Sequence, residues 1–251
     1  MTMDPHDEES WFNTGTYFCS MGRYKQAISC FQIAREGEKQ SSRAWIAEAY
    51  SLDRLGLSED AVRCCDKAQG IDPIGHDALF VKGKALAHLG RFEEALAVLE
   101  GLISLDQTHA EAWHLRGNCE HHLGRYERAG EWYKKAIECN PRYVKAWYNK
   151  GINYANLHRF EDAIRCYDNC LRYNPGYAAI WRSKGIGLAA MDRCDEAIVC
   201  FDQAISINPH QASYWVDKGK CLKKMGLFEK AEKCFSHARG LPRQQELDDL
   251  L

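Results

Sequence analysis

Residues 144–177 read VKAWYNKGINYANLHRFEDAIRCYDNCLRYNPGY, and this stretch of 34 residues decides the fold because its pattern recurs along the chain. Counted from its first residue, tryptophan stands at position 4, glycine at 8, alanine at 20 and proline at 32. The alanine is present in every copy of the pattern: Ala27, Ala61, Ala95, Ala129, Ala163, Ala197 and Ala231. A fixed period of this size is typical of a stack of identical supersecondary units that bury their apolar faces on one another.

The period divides most of the chain into seven units without insertion or deletion. The predicted units are 8–41, 42–75, 76–109, 110–143, 144–177, 178–211 and 212–245. Residues 1–7 are a lead-in, where Asp4 and Pro5 resemble a helix start. The tail, 246–251, either belongs to a short capping helix from Pro242, frays, or docks onto a partner.

Each unit is predicted to fold as helix, turn and helix. Glycine at position 8 costs helix stability, so its recurrence predicts a packing reason, which we expect to be close approach of the neighbouring helix. Glycine at position 15 ends the first helix, because the residue after a helix prefers the left-handed conformation. His158 and Asp192 replace this glycine and are expected to cost stability. Positions 20, 24 and 27 share one face of the second helix, which ends before proline.

These features together resemble the tetratricopeptide repeat, most clearly in AWYNKG at 146–151 and in Asn208-Pro209. The resemblance covers nearly the whole chain. It implies an all-α, right-handed superhelical solenoid of antiparallel helix pairs with a concave groove. It also implies a non-catalytic scaffold that binds other proteins, in a family whose groove is lined by positions 2, 5, 9, 12 and 13 of the first helices.

The groove residues predicted from these positions differ between the two halves of the chain. The first half is mixed in charge and carries aromatic side chains, whereas the second half is basic. The predicted partner-binding residues, which include Asn149 from the neighbouring position 6, are Phe12, Tyr50, Phe80, Lys84, His114, Asn118, His121, Lys145, Tyr148, Asn149, Asn156, Arg182, Lys220, Lys223 and Lys224. A basic concave surface favours an acidic peptide or a terminal carboxylate as the partner segment.

A carboxylate clamp like that of chaperone-binding relatives is incomplete in this chain. Asn118 and Asn149 match its pattern, but His114 replaces a lysine, and Ala179 and Ser183 replace two basic residues. A separate stripe of cations lies at position 7, beside the inward face, and is predicted to be structural. Its members are Lys82, Arg116, Lys150, Lys184 and Lys218.

Composition limits the other classes of function. The formal net charge of −2 gives no global attraction for nucleic acid, and no apolar run approaches the ~20 residues that span a bilayer. The first residues, 1–10, are polar and acidic, unlike a secretory signal. Five of the twelve cysteines recur at position 23, where equivalent residues of adjacent units are too far apart for a disulfide. Reduced cysteines favour a cytoplasmic location.

The sequence contains no Walker loop, HExxH or GxSxG motif, so we expect neither an enzyme nor a cofactor. Histidines cluster at His109, His114, His121 and His122, and we interpret them as groove lining rather than a metal site. Two alternatives stay open. The first is a helical-repeat RNA-binding protein, and the second is a regulatory repeat subunit that acts in trans on an enzyme.

Overall fold

The computed structural model describes residues 8–35 and 41–242, and within these ranges the chain is all α-helical, as predicted. Seven first helices alternate with seven second helices in this part of the chain. The first helices are α1 (Glu8–Ser20), α3 (Ser42–Arg54), α5 (His76–His88), α7 (Ala110–His122), α9 (Val144–Asn156), α11 (Ala178–Ala190) and α13 (Ala212–Lys224). The second helices are α2 (Tyr24–Arg35), α4 (Ser58–Ile71), α6 (Phe92–Leu105), α8 (Tyr126–Cys139), α10 (Phe160–Tyr173), α12 (Cys194–Ile207) and α14 (Phe228–Gly240).

The helices form two compact units, Met1–Leu123 and Gly124–Leu251. Within each unit every helix packs against the next helix along the chain. First helices of successive pairs also touch, as α1 does with α3 and α11 with α13. The first helices begin 34 residues apart, at the first residue of each predicted repeat.

The recurrent glycine at position 8 provides space for the side chain at position 24 of the same repeat. A Cβ atom built on Gly15 would lie 2.5 Å from Cε1 of Phe31, and one built on Gly185 would lie 2.6 Å from Cε1 of Phe201. Both rings are almost fully buried. The predicted close approach is therefore present, and it is made by a ring lying on the glycine.

The residue that ends the first helix is left-handed wherever the structure shows it. The glycines there have φ between 70° and 78°. His158 and Asp192 adopt the same conformation with φ of 56° and 64°, as predicted from their place in the repeat. Both lack the freedom of glycine, so the turns at these two residues are strained.

The tryptophan at position 4 joins its helix to the preceding loop. The indole N–H of Trp147 donates to the carbonyl of Pro141 at 2.9 Å, and that of Trp181 donates to the carbonyl of Pro175 at 3.0 Å. Trp215 repeats this bond with Pro209. Successive repeats are thus fastened by a hydrogen bond as well as by apolar packing.

The cations at position 7 form ion pairs with acids at position 25 of the preceding repeat, in agreement with the predicted structural role. The four pairs are Lys82–Asp66 at 2.6 Å, Arg116–Glu100 at 3.9 Å, Lys184–Asp168 at 2.5 Å and Lys218–Asp202 at 2.5 Å. Lys150 departs from the pattern, because Lys134 stands at position 25 before it. Its ammonium lies 5.8 Å from the centre of the Trp147 ring instead.

All twelve cysteines are free, and most are buried. Burial raises the pKa of Cys64, Cys65 and Cys119 to about 12, so these thiols stay protonated and behave as small apolar groups. None of the helices in the described ranges combines the length and the apolar character needed to cross a bilayer. The expected helix start at Asp4 and the tail, 246–251, fall outside the described residues.

Candidate functional site

Three of the predicted groove aromatics line a single pocket in the first unit. Phe12 comes from α1, Tyr50 from α3 and Phe80 from α5, and the pocket between them has a volume of about 650 Å³. Such a volume lies within the roughly 300–1,000 Å³ range of ligand-binding pockets. Ile46 and Val81 add apolar wall. The stacking of first helices therefore brings side chains together that are 30 or more residues apart in sequence.

Two side chains pack against the ring of Phe12. The guanidinium carbon of Arg43 lies 3.8 Å from its centre, and the Phe31 ring lies 5.5 Å away at an interplanar angle of 50°. Arg43 also approaches the carboxylate of Glu9, with Nη1 and Oε1 3.6 Å apart. Aromatic pairs and cations over ring faces each contribute about 0.5–1.5 kcal/mol, so this wall of the pocket is formed before any ligand arrives.

Tyr50 is the most accessible of the three rings, with 41 % of its surface exposed. Its ring meets the Tyr24 ring edge-on at 6.5 Å, and the ammonium of Lys84 lies 5.5 Å from its centre. These contacts fix the ring while leaving much of its surface open to solvent. Tyr50 is thus suited to contact a partner directly.

Lys84 also belongs to a charged cluster around the buried Asp53. The Asp53 side chain is 1 % exposed, accepts a hydrogen bond from Ser58 Oγ at 2.9 Å and lies 2.7 Å from His88 Nδ1. Lys84 Nζ is 3.8 Å from the second carboxylate oxygen. Burial raises the pKa of Asp53, but the hydrogen bonds from His88 and Ser58 and the nearby charges outweigh it and leave this pKa below its usual range. Asp53 therefore remains ionised and anchors Lys84 beside the pocket.

The predicted histidine cluster has structural contacts. His109 caps α7 by accepting from the Ala112 N–H at 3.2 Å, and its ring lies 5.0 Å from the Phe80 ring. His122 stacks on Phe92 at 5.1 Å, and the His121 ring lies 6.1 Å from the His122 ring. In the described part of the chain no group of three or more His, Cys, Asp or Glu side chains is placed to hold a metal ion.

Several predicted groove residues of both units lie below the surface. His114 in the first unit is 6 % exposed, and Asn118 is half-buried. In the second unit Tyr148 is 5 % exposed, with its hydroxyl 3.2 Å from Ser183 Oγ, and Asn149 is also buried. Their burial makes His114, Tyr148 and Asn149 part of the helix packing rather than a contact surface.

The predicted cations of the second unit are largely engaged within the chain. Arg182 Nε lies 2.9 Å from Asp217 Oδ2, and Lys220 Nζ lies 3.0 Å from Asp217 Oδ1. Lys224 pairs with Asp192. The remaining predicted residues here are half-buried Lys145, exposed Asn156 and exposed Lys223. Part of the positive charge predicted for the groove of the second unit is therefore paired with Asp217 and Asp192.

Family models of the tetratricopeptide repeat match residues 12–76, 67–108 and 80–144, and two further models of this repeat match 144–177 and 212–243. The chain belongs to the tetratricopeptide-repeat family. All of these models describe the repeat, and none describes a catalytic family. A search of curated proteins found no match.

Solved structures of tetratricopeptide-repeat proteins share the fold. A repeat protein from Parabacteroides merdae is 18 % identical with a TM-score of 0.68, over 96 % of this chain and 95 % of that one. A chain of the APC/C hetero-tetramer Cut9–Hcn1 is 18 % identical with a TM-score of 0.75, over 87 % of this chain and 43 % of that one. YrrB, described as having an unusual peptide-binding site, is 22 % identical with a TM-score of 0.57, over 71 % of this chain and 92 % of that one.

The pocket also contains residues that are not among the predicted groove residues. Ile46 stands at position 5 of its repeat, the same position as Phe12 and Phe80, so the repeat period itself could have identified it. Asp72 lies in the loop after α4, outside the first-helix positions of a tetratricopeptide repeat. No pattern along the first helices could have indicated Asp72, because it reaches the pocket only through the folding of the loop.

Proposed function

We propose that this chain is a non-catalytic protein–protein interaction scaffold whose first helices bind an extended or helical segment of a partner protein. The observation that carries the proposal is the pocket formed by Phe12, Tyr50 and Phe80 on three successive first helices. Predicted repeats across 8–245 would all contribute to the array. Family membership supports the coarser statement, because the tetratricopeptide-repeat fold is typically a non-catalytic scaffold.

The pocket has the physical properties of a preformed protein-binding site. Its rings are fixed by Arg43, Phe31, Tyr24 and Lys84, so binding does not have to order them. A rigid site saves the ordering entropy that weakens many complexes. Exposed aromatic residues in a partly apolar pocket are also the side chains that contribute most to protein interfaces.

We further propose that the second unit contacts acidic groups of the partner, including a terminal carboxylate, through its exposed cations. Lys223 is exposed and forms no ion pair with a described residue, and Lys145 is half-buried at position 2 of its repeat. Both are at positions that relatives use for the groove. Free cysteines support a reducing, cytoplasmic location for this interaction.

The test is photo-cross-linking in an extract of the source cells. A photoreactive amino acid replaces Tyr50, and in a matched control it replaces Tyr173 at the end of α10; both tyrosines are 41 % exposed. We expect a partner protein to be cross-linked from Tyr50 and not from Tyr173. Cross-linking from Tyr173 alone would contradict binding by the first helices, and recovery of RNA from Tyr50 would favour the RNA-binding alternative.

A further inference from the structure

The charges around the first-unit pocket are not balanced. Besides Cys19 and Tyr50, four side chains that can carry a charge line it, namely Arg43, Asp72, His76 and Asp77. Arg43 is already occupied by the Phe12 ring and by Glu9. This leaves two carboxylates and the imidazole of His76 at the edge of a pocket whose walls are mainly aromatic and aliphatic.

Both carboxylates are available to a partner. Asp72 follows the end of α4, Asp77 lies in the first turn of α5, and both residues are exposed. Neither carboxylate forms an ion pair or a side-chain hydrogen bond with another described residue. Elsewhere in this unit exposed acids are commonly paired, as Asp66 is with Lys82 and Glu94 with Arg91. Asp72 and Asp77 thus differ from these paired acids of the first unit, because they line a largely apolar pocket and neither forms an ion pair with a described residue.

We propose that the first-unit pocket binds a partner segment that presents a bulky apolar side chain next to lysine or arginine. This inference rests on the proposed function and specifies the partner chemistry at this pocket. The apolar side chain fills the space between Phe12, Tyr50 and Phe80 and removes their exposed surface from water. The adjacent cation meets Asp72 and Asp77, whereas an acidic neighbour would be repelled by them.

Charge complementarity is the reason for choosing this partner over others. A phosphate backbone would approach the same two carboxylates, which disfavours RNA at this pocket. The C-terminal sequence of the chain, RQQELDDLL at 243–251, combines leucines with three acids, so another copy of it is a poor match for the pocket. A segment with a basic and an apolar side chain complements both the apolar walls of the pocket and the two carboxylates at its edge.

The test uses the full chain and fluorescein-labelled peptides, with binding followed by fluorescence polarisation. The probes are KKLWLKK, its acidic counterpart EELWLEE, a peptide KKGSGKK without apolar side chains, and RQQELDDLL. We expect KKLWLKK to bind about tenfold or more tightly than each of the others, since it alone supplies both features. Salt at about 1 M should remove much of the preference for KKLWLKK over EELWLEE, because that preference comes from charge and the Debye length then falls to roughly 3 Å.

Two paired variants connect the binding to this pocket. The double variant Asp72→Asn, Asp77→Asn should bind KKLWLKK about three- to tenfold less tightly, as expected for the loss of two exposed charges. Asp195→Asn with Glu229→Gln removes two exposed acids at the starts of α12 and α14 and should leave the affinity unchanged.

Several results would overturn the inference. These are failure of KKLWLKK to bind, equal binding of EELWLEE, or an equal effect of the control pair of substitutions. Tighter binding of RQQELDDLL would instead indicate that the pocket is occupied by a second copy of the chain. If Tyr50 cross-links a partner but EELWLEE is preferred, this inference fails and the proposed function stands. Cross-linking from Tyr173 alone would refute the proposed function itself.

Discussion

Replacement of Gly185 by alanine is predicted to destabilise the protein although alanine is the better helix former. The intrinsic helix propensity favours alanine by about 1 kcal/mol. Against this, the new Cβ would lie 2.6, 2.9 and 3.0 Å from three atoms of the Phe201 ring, which is 1 % exposed and has little room to move. Overpacking of this kind costs about 1–3 kcal/mol. We therefore expect the free energy of unfolding to fall by up to about 2 kcal/mol.

Gly101→Ala provides the matched control. Gly101 lies within α6, and a Cβ there would have nothing within 4 Å, so only the propensity term remains. We expect the free energy of unfolding of this variant to rise by about 0.5–1 kcal/mol. Urea unfolding followed by circular dichroism gives the midpoint and slope for each variant. Stabilisation by Gly185→Ala equal to that of Gly101→Ala would refute the view that the ring on the glycine determines this position.

The second repeat suggests how the contact can be relieved. It carries Ala49 at position 8 and Cys65, rather than a ring, at position 24. Combining Gly185→Ala with Phe201→Cys reproduces that pair, so the double variant should be less destabilised than the sum of the single variants. The coupling energy should be about 1–3 kcal/mol, the cost of the overpacking that the second substitution removes. A coupling energy of zero would contradict the direct contact.

Three further predictions concern single positions. His158→Gly should raise the unfolding free energy by roughly 0.5–1 kcal/mol, because φ at this residue is 56° and glycine adopts it without strain; a lower urea midpoint would contradict this. Trp147→Phe should lower the unfolding free energy by about 0.5–1.5 kcal/mol through loss of the 2.9 Å bond to Pro141, and an unchanged midpoint would show that the bond contributes nothing. The folded pKa of Asp53 is lowered, so its contribution is present above its unfolded pKa of about 3.9 and is lost as the pH falls through the folded value. The stability difference between wild type and Asp53→Asn, measured by urea unfolding from pH 7 downward, should therefore narrow in acid, and a difference that is constant with pH would argue against the ionised cluster.

The structure places the predicted groove residues of the two units in different surroundings. Phe12, Tyr50 and Phe80 were selected from their repeat positions, and the structure brings them to one pocket. Arg182 and Lys220 were selected as groove cations, yet both pair with Asp217. Lys220 and Asp217 are three residues apart within α13, whereas Arg182 meets Asp217 across neighbouring helices, and a single sequence does not give a partner of that second kind. The acids that pair with these cations are therefore part of the surface charge of the second unit.

Buried polar residues show the same limit. Tyr148 and Asn149 stand at positions 5 and 6 of their repeat. At these positions a small rotation of the helix about its axis decides whether a side chain faces solvent or the next helix. Both are buried. In contrast, the left-handed turn at Asp192 was predictable, because the chain must reverse there whichever residue occupies the position.

The sequence by itself determined the helices, their ends and the repeat, because these depend on local signals that recur with a fixed period. Position 15 turns and the prolines after second helices act over a few residues, and each appears in several copies. Only the tertiary structure decided which side chains share a surface. The pocket of the first unit and the Asp72 carboxylate at its edge depend on how three helices and a loop pack, and packing is set by contacts between residues distant in sequence.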